Sequence, residues 1–411
     1  MKADEGYQIN NAGIHPYHHF HPKVREGNFI LQFIASIYIF LTFTLALSPH
    51  IALAEESNIE VLENQLQQQP ENVEILLKLG IEYRISKRYQ DALRVLTSAK
   101  EIDPNNWGVR SEIAFSYFTN AQYEESLEEG KVANQLAPNE ILPLLILGDN
   151  YLKLKNYEKC IIEYEKALSM HPDHPATAGI YYPLGLAYFK SKRIEDAIEA
   201  FKISTSNYPD NSDSHYRLGH AFSLVKKSAE SIKEFTKALE IEPKLIEARY
   251  WLGKEYRIAG KYQKAIEQLN LFLDDQSNNP NVIRENLIGA NFELAKALHL
   301  TKKYEEAIQK FNKVLELDPK AHVARLLLGI TYVDSKEIEK GIEQIKSYIR
   351  VDGSNPWPHH ELGRAFTLIE EFNNALKHFK EVEKLDPAYP NNNWRMGMVF
   401  TTLKEYDSAI F

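Results

Sequence analysis

Residues with reactive or metal-binding side chains gather in three places along this chain. The stretch HPYHHFHP puts His15, His18, His19 and His21 into eight residues, a density of imidazole that a metal-binding tract offers. HPDHP brings His171, Asp173 and His174 together, three donors being the fewest that hold a metal centre. Cys160 is the only cysteine and acts as a nucleophile only where its thiol ionises. None of the three carries the rest of a site. The first tract reads as leader sequence and the second as a polar turn between helices. GxxxxGKS/T, HExxH, GxSxG and GxGxxG are all missing from the contexts in which they do chemistry. The expectation is no catalytic, cofactor-binding or metal residue and no cofactor.

The totals narrow the choice further. With 44% hydrophobic and 26% charged residues the chain has a globular composition. A formal charge of -9 argues against nucleic acid as partner, because neutralising phosphates needs a surplus of Lys and Arg. One cysteine permits neither an intramolecular disulfide nor a cysteine-built zinc site. A length of 411 residues points to two or three domains unless the chain is a repeat array, whose units bury surface against their neighbours.

Residues 1–54 read as a leader. Phe29 to Leu47 contains no formal charge, follows Lys23 and Arg25, and precedes Ala52-Leu53-Ala54 and Glu55-Glu56. That order predicts a signal peptide cleaved after Ala54, or an uncleaved anchor, since nineteen apolar residues span a bilayer. Either way the charges direct the remainder outward. The chain is expected to be exported, periplasmic or otherwise extracytoplasmic, meeting the membrane only through residues 29–47.

The elements that would have to position any site are visible in an echo. LGIEYRISKRYQDA, from Leu79, returns as LGKEYRIAGKYQKA from Leu252, with nine of fourteen residues identical. The unit is 34 residues long. Val73 to Asn106 shows it whole, with Leu79, Gly80, Tyr83, Ala92, Leu96, Ala99 and Pro104 at fixed places. This pattern resembles the tetratricopeptide repeat family, whose unit is a helix-turn-helix.

The register starts units at Val73, Trp107, Ile141, Ala178, Ser212, Ile246, Ile288, His322, Pro356 and Pro390. The fold expected is all-α, a right-handed superhelical solenoid of about ten units. Residues 55–72 form an N-terminal capping helix from Ser57 to Gln69. Residues 73–174, 178–279 and 288–389 hold three units each, and 390–411 an incomplete tenth. Insertions fall at Pro175 to Thr177 and Pro280 to Leu287. Cys160 stands where other units have alanine, a core position.

The family resemblance implies that first helices line a concave surface, with positions two, five, nine and twelve of each unit facing it. From the fifth unit onward this implies a peptide-binding row of Tyr216, His220, Tyr250, Lys254, Arg257, Phe292, Lys296, His299, His360 and Arg364. Such a basic and aromatic row suits protein or peptide segments carrying carboxylates. The family's clamp for acidic chaperone tails needs Lys at five and Asn at nine, and pairs such as Leu77/Ile81 and Leu145/Asp149 do not supply it. The expected function is an exported, non-enzymatic scaffold for protein–protein interaction in envelope assembly or secretion. The alternative is the repeat region of a longer enzyme or of a polysaccharide export protein.

Overall fold

The computed structural model describes residues 51–277 and 283–404; the histidine tract, the apolar run at 29–47 and the end of the tenth unit from 405 lie outside the described residues. Every regular element among the described residues is an α-helix, and the chain forms two compact units that divide between Lys226 and Lys227. The unit before the division holds α1 (Ile51–Gln68), α2 (Val73–Ile85), α3 (Tyr89–Ile102), α4 (Trp107–Thr119) and α5 (Tyr123–Leu136). It continues through α6 (Ile141–Lys153), α7 (Tyr157–Met170), α8 (Thr177–Lys190), α9 (Ile194–Asn207) and α10 (Ser212–Leu224). The unit after it holds α11 (Ser228–Ile241), α12 (Ile246–Ile258), α13 (Tyr262–Ser277), α14 (Arg284–Leu300) and α15 (Tyr304–Leu317). It closes with α16 (His322–Asp334), α17 (Ile338–Ile349), α18 (Pro356–Leu368), α19 (Phe372–Leu385) and α20 (Asn392–Thr402).

Local chemistry sets where these helices start and stop. Asn72 opens α2 by accepting from the backbone N–H groups of Glu74 and Ile75 at 3.0 and 3.1 Å, satisfying donors that have no partner within the helix. Asn106, Asn156, Asn211 and Asn355 open α4, α7, α10 and α18 in the same way. At the other ends, Asp103, Asp318 and Asp386 accept from the backbone two residues on, and the proline after each cannot extend the helical ladder. First and second helices are joined by turns of three residues whose middle one has left-handed backbone, Lys87 at φ 60° being the first.

The short turns fold each second helix back onto its first, and the contact is close. A Cβ on Gly80 would come within 2.4 Å of Leu96 Cγ, and one on Gly363 within 2.5 Å of the Phe379 ring. Facing side chains are correspondingly small. Ala92, Ala197, Ala265, Ala307 and Ala375 are fully buried, as is Cys160 at the same place in its unit. Burial pushes the Cys160 thiol well up, so it packs as a small hydrophobe and does not ionise. Large residues fill the space between the helices of most pairs, among them Leu96, Phe201, Phe311, Ile345 and Phe379. Each contributes roughly 1.5–3 kcal/mol through burial.

Two boundaries differ from the repeat arithmetic. Helix α14 starts at Arg284, a turn before Ile288, so half of the second insertion extends a first helix instead of looping out. Helix α1 begins at Ile51 and therefore runs through Ala54. Its Ile59, Leu62 and Leu66 pack on the core of α2 and α3, and the Tyr83 hydroxyl donates to Glu63. At the far end, Trp394 and Met398 on α20 remain about half exposed.

Candidate functional row of the first helices

Tyr216 and His220 belong to the unit before Lys227, and the other eight residues of the expected row to the unit after it. On α10 the Tyr216 side chain is buried, and the His220 ring lies 5.1 Å from that of Phe189 and 6.3 Å from that of Tyr216.

In the second unit the row is largely closed to solvent. Tyr250, Arg257, Phe292 and Lys296 are at most 2% exposed, and His299 and His360 are buried as well; only Lys254 and Arg364 keep partial contact with water. Fully buried cations demand partners, because desolvating an unpaired charge costs several kcal/mol. The partners are carboxylates that repeat arithmetic does not mark as site residues. Arg257 on α12 donates through Nε to Glu293 on α14. Lys254 and Lys296 act on the same carboxylate, with Lys254 Nζ 4.6 Å from the Trp251 ring and Lys296 Nζ 5.2 Å from that of Phe292.

The electrostatics follow from this crowding. Burial works against the charge of Glu293, yet Arg257, Lys296 and Lys254 together hold its carboxyl down at about 2. Burial, with Arg257 and Lys254 adding to it against Glu293, brings the Lys296 ammonium down to about 7. Lys254 is lowered by burial too. One carboxylate thus serves three cations, and Lys296 yields part of its charge.

A second group joins α14, α16 and α18. Arg364 donates through Nη1 to Asp334 and through Nε to Glu361, both at 2.7 Å. His299 sits between Thr331 Oγ1 at 3.0 Å and the Asp334 carboxylate at 3.4 Å, and burial depresses its pKa despite Asp334. His360 Nδ1 lies 3.6 Å from Glu361, whose carboxyl stays ionised against its burial through Arg364 and His360.

The structure therefore gathers Lys254, Arg257 and Lys296 around Glu293, and Arg364, His299 and His360 around Asp334 and Glu361. Sequence reasoning missed these three acids. A signal existed: EYRI occurs in both halves of the echo, and Glu112 and Glu293 each stand at the sixth position of the following unit. In the first unit Arg84 on α2 meets Glu112 on α4 at 3.0 Å, with its guanidinium 4.3 Å from the Phe115 ring centroid.

The remaining candidates do local work. His171 Nε2 lies 2.8 Å from the carbonyl of Asn139, and His174 Nδ1 accepts from the Ala176 backbone at 3.1 Å, so both shape their turn. Among the described residues no three His, Cys, Asp or Glu side chains are gathered as a metal centre would gather them. No described helix is long and apolar enough to cross a membrane.

Comparison with known proteins gives a consistent picture of the repeat. Tetratricopeptide repeat models match residues 140–210, 182–246 and 289–321. No curated protein matches the chain. Among solved structures, YrrB, described as a TPR protein with an unusual peptide-binding site, is 15% identical with a TM-score of 0.41, covering 46% of this chain and 96% of that one. PilF of Pseudomonas aeruginosa is 16% identical with a TM-score of 0.46, covering 52% and 95%. The C-terminal part of a TPR repeat-containing protein of Cytophaga hutchinsonii is 16% identical with a TM-score of 0.48, covering 60% and 97%.

Proposed function

The chain is a tetratricopeptide repeat protein, and from that premise we propose that it is an exported, non-enzymatic scaffold which holds protein segments during assembly of an envelope complex or a secretion apparatus. Repeat arrays of this kind are protein–protein interaction scaffolds. The observation that carries the reading is the array itself. Cys160 packs in the core, His171 and His174 shape a turn, and Arg257, Arg364 and His299 face carboxylates on neighbouring helices. Export is supported by the charge order around residues 29–47, which lie outside the described residues.

The segments it holds carry acidic side chains. This preference rests on Lys254, which keeps contact with water along the second unit's row and stands beside the buried cations Arg257 and Lys296; Arg364 already has Asp334 and Glu361 as partners. Two measurements separate the parts of the proposal. Alkaline phosphatase fused after Lys404 should be active in cells only when residues 29–47 are present; equal activity without them sinks export. Photo-crosslinking from a probe at Lys254 in intact cells should trap a discrete protein neighbour, and an absence of adducts counts against the scaffold.

A further inference from the structure

Five first helices of the unit that ends at Lys226 are each followed by a residue on left-handed backbone, and four of these residues are lysine. These are Lys87, Lys155, Lys192 and Lys226, at φ between 60° and 63°. That conformation suits glycine, and the chain does use Gly260 at φ 72° in an equivalent turn. Lysine there is strained by its Cβ. The strain is not offset from within: all four side chains are exposed, and none makes a hydrogen bond or ion pair with another described side chain. The next residue behaves differently. Arg88 and Arg193 close on Asp91 and Asp196 and lie over the rings of Tyr83 and Tyr188. The same backbone is held by Ala121 in this unit and by Lys302, Lys336, Glu370 and Lys404 in the other, so the strain belongs to the turn itself, and what distinguishes this edge is the charge that stands on it.

The turns also sort charge. Successive helix-turn-helix pairs stack with their first helices running the same way, so these turns share one edge of the unit. Residues 85–88, 153–156, 190–193 and 224–226 contain Lys or Arg but no Asp or Glu, and 119–122 are uncharged. The turns at the opposite edge, 103–106, 137–140, 171–174 and 208–211, contain Asp and Glu but no Lys or Arg. Acidic residues near the lysine edge, Glu124, Glu158 and Glu195 among them, occupy the first turns of the second helices, where the helix dipole favours them. Beside the strained lysines stand two exposed apolar side chains, Ile85 and Leu224.

We propose that this edge lies against an anionic phospholipid surface, with the lysines among the headgroup phosphates and Ile85 and Leu224 at the boundary with the acyl chains. Lysine is a mobile point charge that asks no fixed geometry of its partner, unlike the fork of arginine. Fluid headgroups offer charge without geometry, and they accept neighbouring apolar side chains, which an acidic polypeptide does not. The inference does not depend on residues 29–47 anchoring the chain.

The test uses the full chain. Because Cys160 is buried, a single cysteine introduced as Ser191→Cys on the lysine edge, or Asn105→Cys on the opposite edge, takes a polarity-sensitive dye. Vesicles are phosphatidylcholine with or without phosphatidylglycerol. The apolar run at 29–47 is present with both vesicles, so the comparison isolates the edge. The dye at 191 should report an apolar setting only with phosphatidylglycerol, and the dye at 105 with neither. Replacing the four lysines by glycine relieves the backbone and should cut the fraction of chains showing the shift about tenfold or more. The proposal is overturned by equal shifts on both vesicles, by a shift that survives the glycine variant, or by the same shift with polyglutamate or inorganic phosphate alone.

Discussion

Arg84 on α2 donates through Nε to Glu112 on α4 at 3.0 Å, from the twelfth position of one repeat to the sixth of the next. Arg257 and Glu293 form the same pair in the second unit across 36 residues instead of 28. The eight extra residues are those of the second insertion, and the pairing survives them. Both pairs are buried, so each joins neighbouring repeats through charges that cannot fall back on water. Breaking one partner should therefore cost more than replacing both. Glu293→Gln should destabilise the second unit by about 3–5 kcal/mol, whereas Arg257→Met with Glu293→Leu should recover only part of it, because Lys296 stays buried beside the lost carboxylate. Urea unfolding followed by Trp251 fluorescence reads this, and equal losses in the single and double variants would deny the pair its role.

The titration of Lys296 gives a prediction whose sign can be worked out. Its folded value of about 7 lies below the ordinary lysine value of 10.5. Between those values the unfolded chain binds the extra proton, so stability rises with pH across the window and is lowest on its acid side. Lys296→Met removes the group and should flatten that rise while leaving the helix content unchanged. Thermal unfolding at several pH values between about 7 and 10 checks it; a variant with the parent's slope would mean that Lys296 stays charged when folded.

A third prediction concerns the strained turns. Lys192 has φ 63° and no side-chain partner among the described residues. Lys192→Gly should stabilise the chain by roughly 1 kcal/mol, because glycine adopts left-handed backbone without the Cβ clash. Lys192→Ala keeps the clash and should change stability little. A melting-temperature comparison of the two variants decides, and equal values would show that the turn is not strained.

The fold was legible because each repeat position answers to one steric demand. Gly80 is small because Leu96 presses on it, and Pro104 follows α3 because proline ends a helix. Spacing records such demands directly. The row was legible only in part. Lys254, Lys296 and Arg364 follow from their position in the unit, but the acids that engage them do not, since Glu361 is the one acid on α18 and Glu293 one of two on α14, and no spacing within either helix marks them. A buried Glu and an exposed one look alike in sequence until the Arg that reaches it from the preceding repeat is placed. Helix α14 hid its first turn for a related reason: Arg284 to Leu287 break the 34-residue count yet continue a helix, and periodicity cannot see an extension that buries little.

The close approach at Gly363 can be probed in the same spirit. A Cβ there would meet the Phe379 ring at 2.5–2.8 Å, and the ring is fully enclosed, so it has nowhere to retreat. Gly363→Ala should cost about 1–3 kcal/mol as an overpacked core. Gly363→Ala with Phe379→Leu should regain part of the loss. If the single variant melts with the parent, the two helices have room to part and the packing is looser than the distances imply.

The last prediction addresses the row as a binding surface. Lys254 is the cation of the Glu293 group that keeps contact with water, so an acidic segment reaching the row of the second unit meets it before Arg257 or Lys296. Lys254→Glu reverses the charge at that margin and should weaken capture of an oligoglutamate peptide about tenfold, by removing a charge-assisted contact and adding repulsion. Lys254→Arg keeps the charge and should retain most of the affinity. Fluorescence anisotropy of a labelled peptide measures both. The glycine variant of the four turn lysines serves as control, since those residues belong to a different surface and its affinity should stay at the parent's value. Affinity untouched in Lys254→Glu but lost in the glycine variant would move the acidic partner from the row to the turn edge.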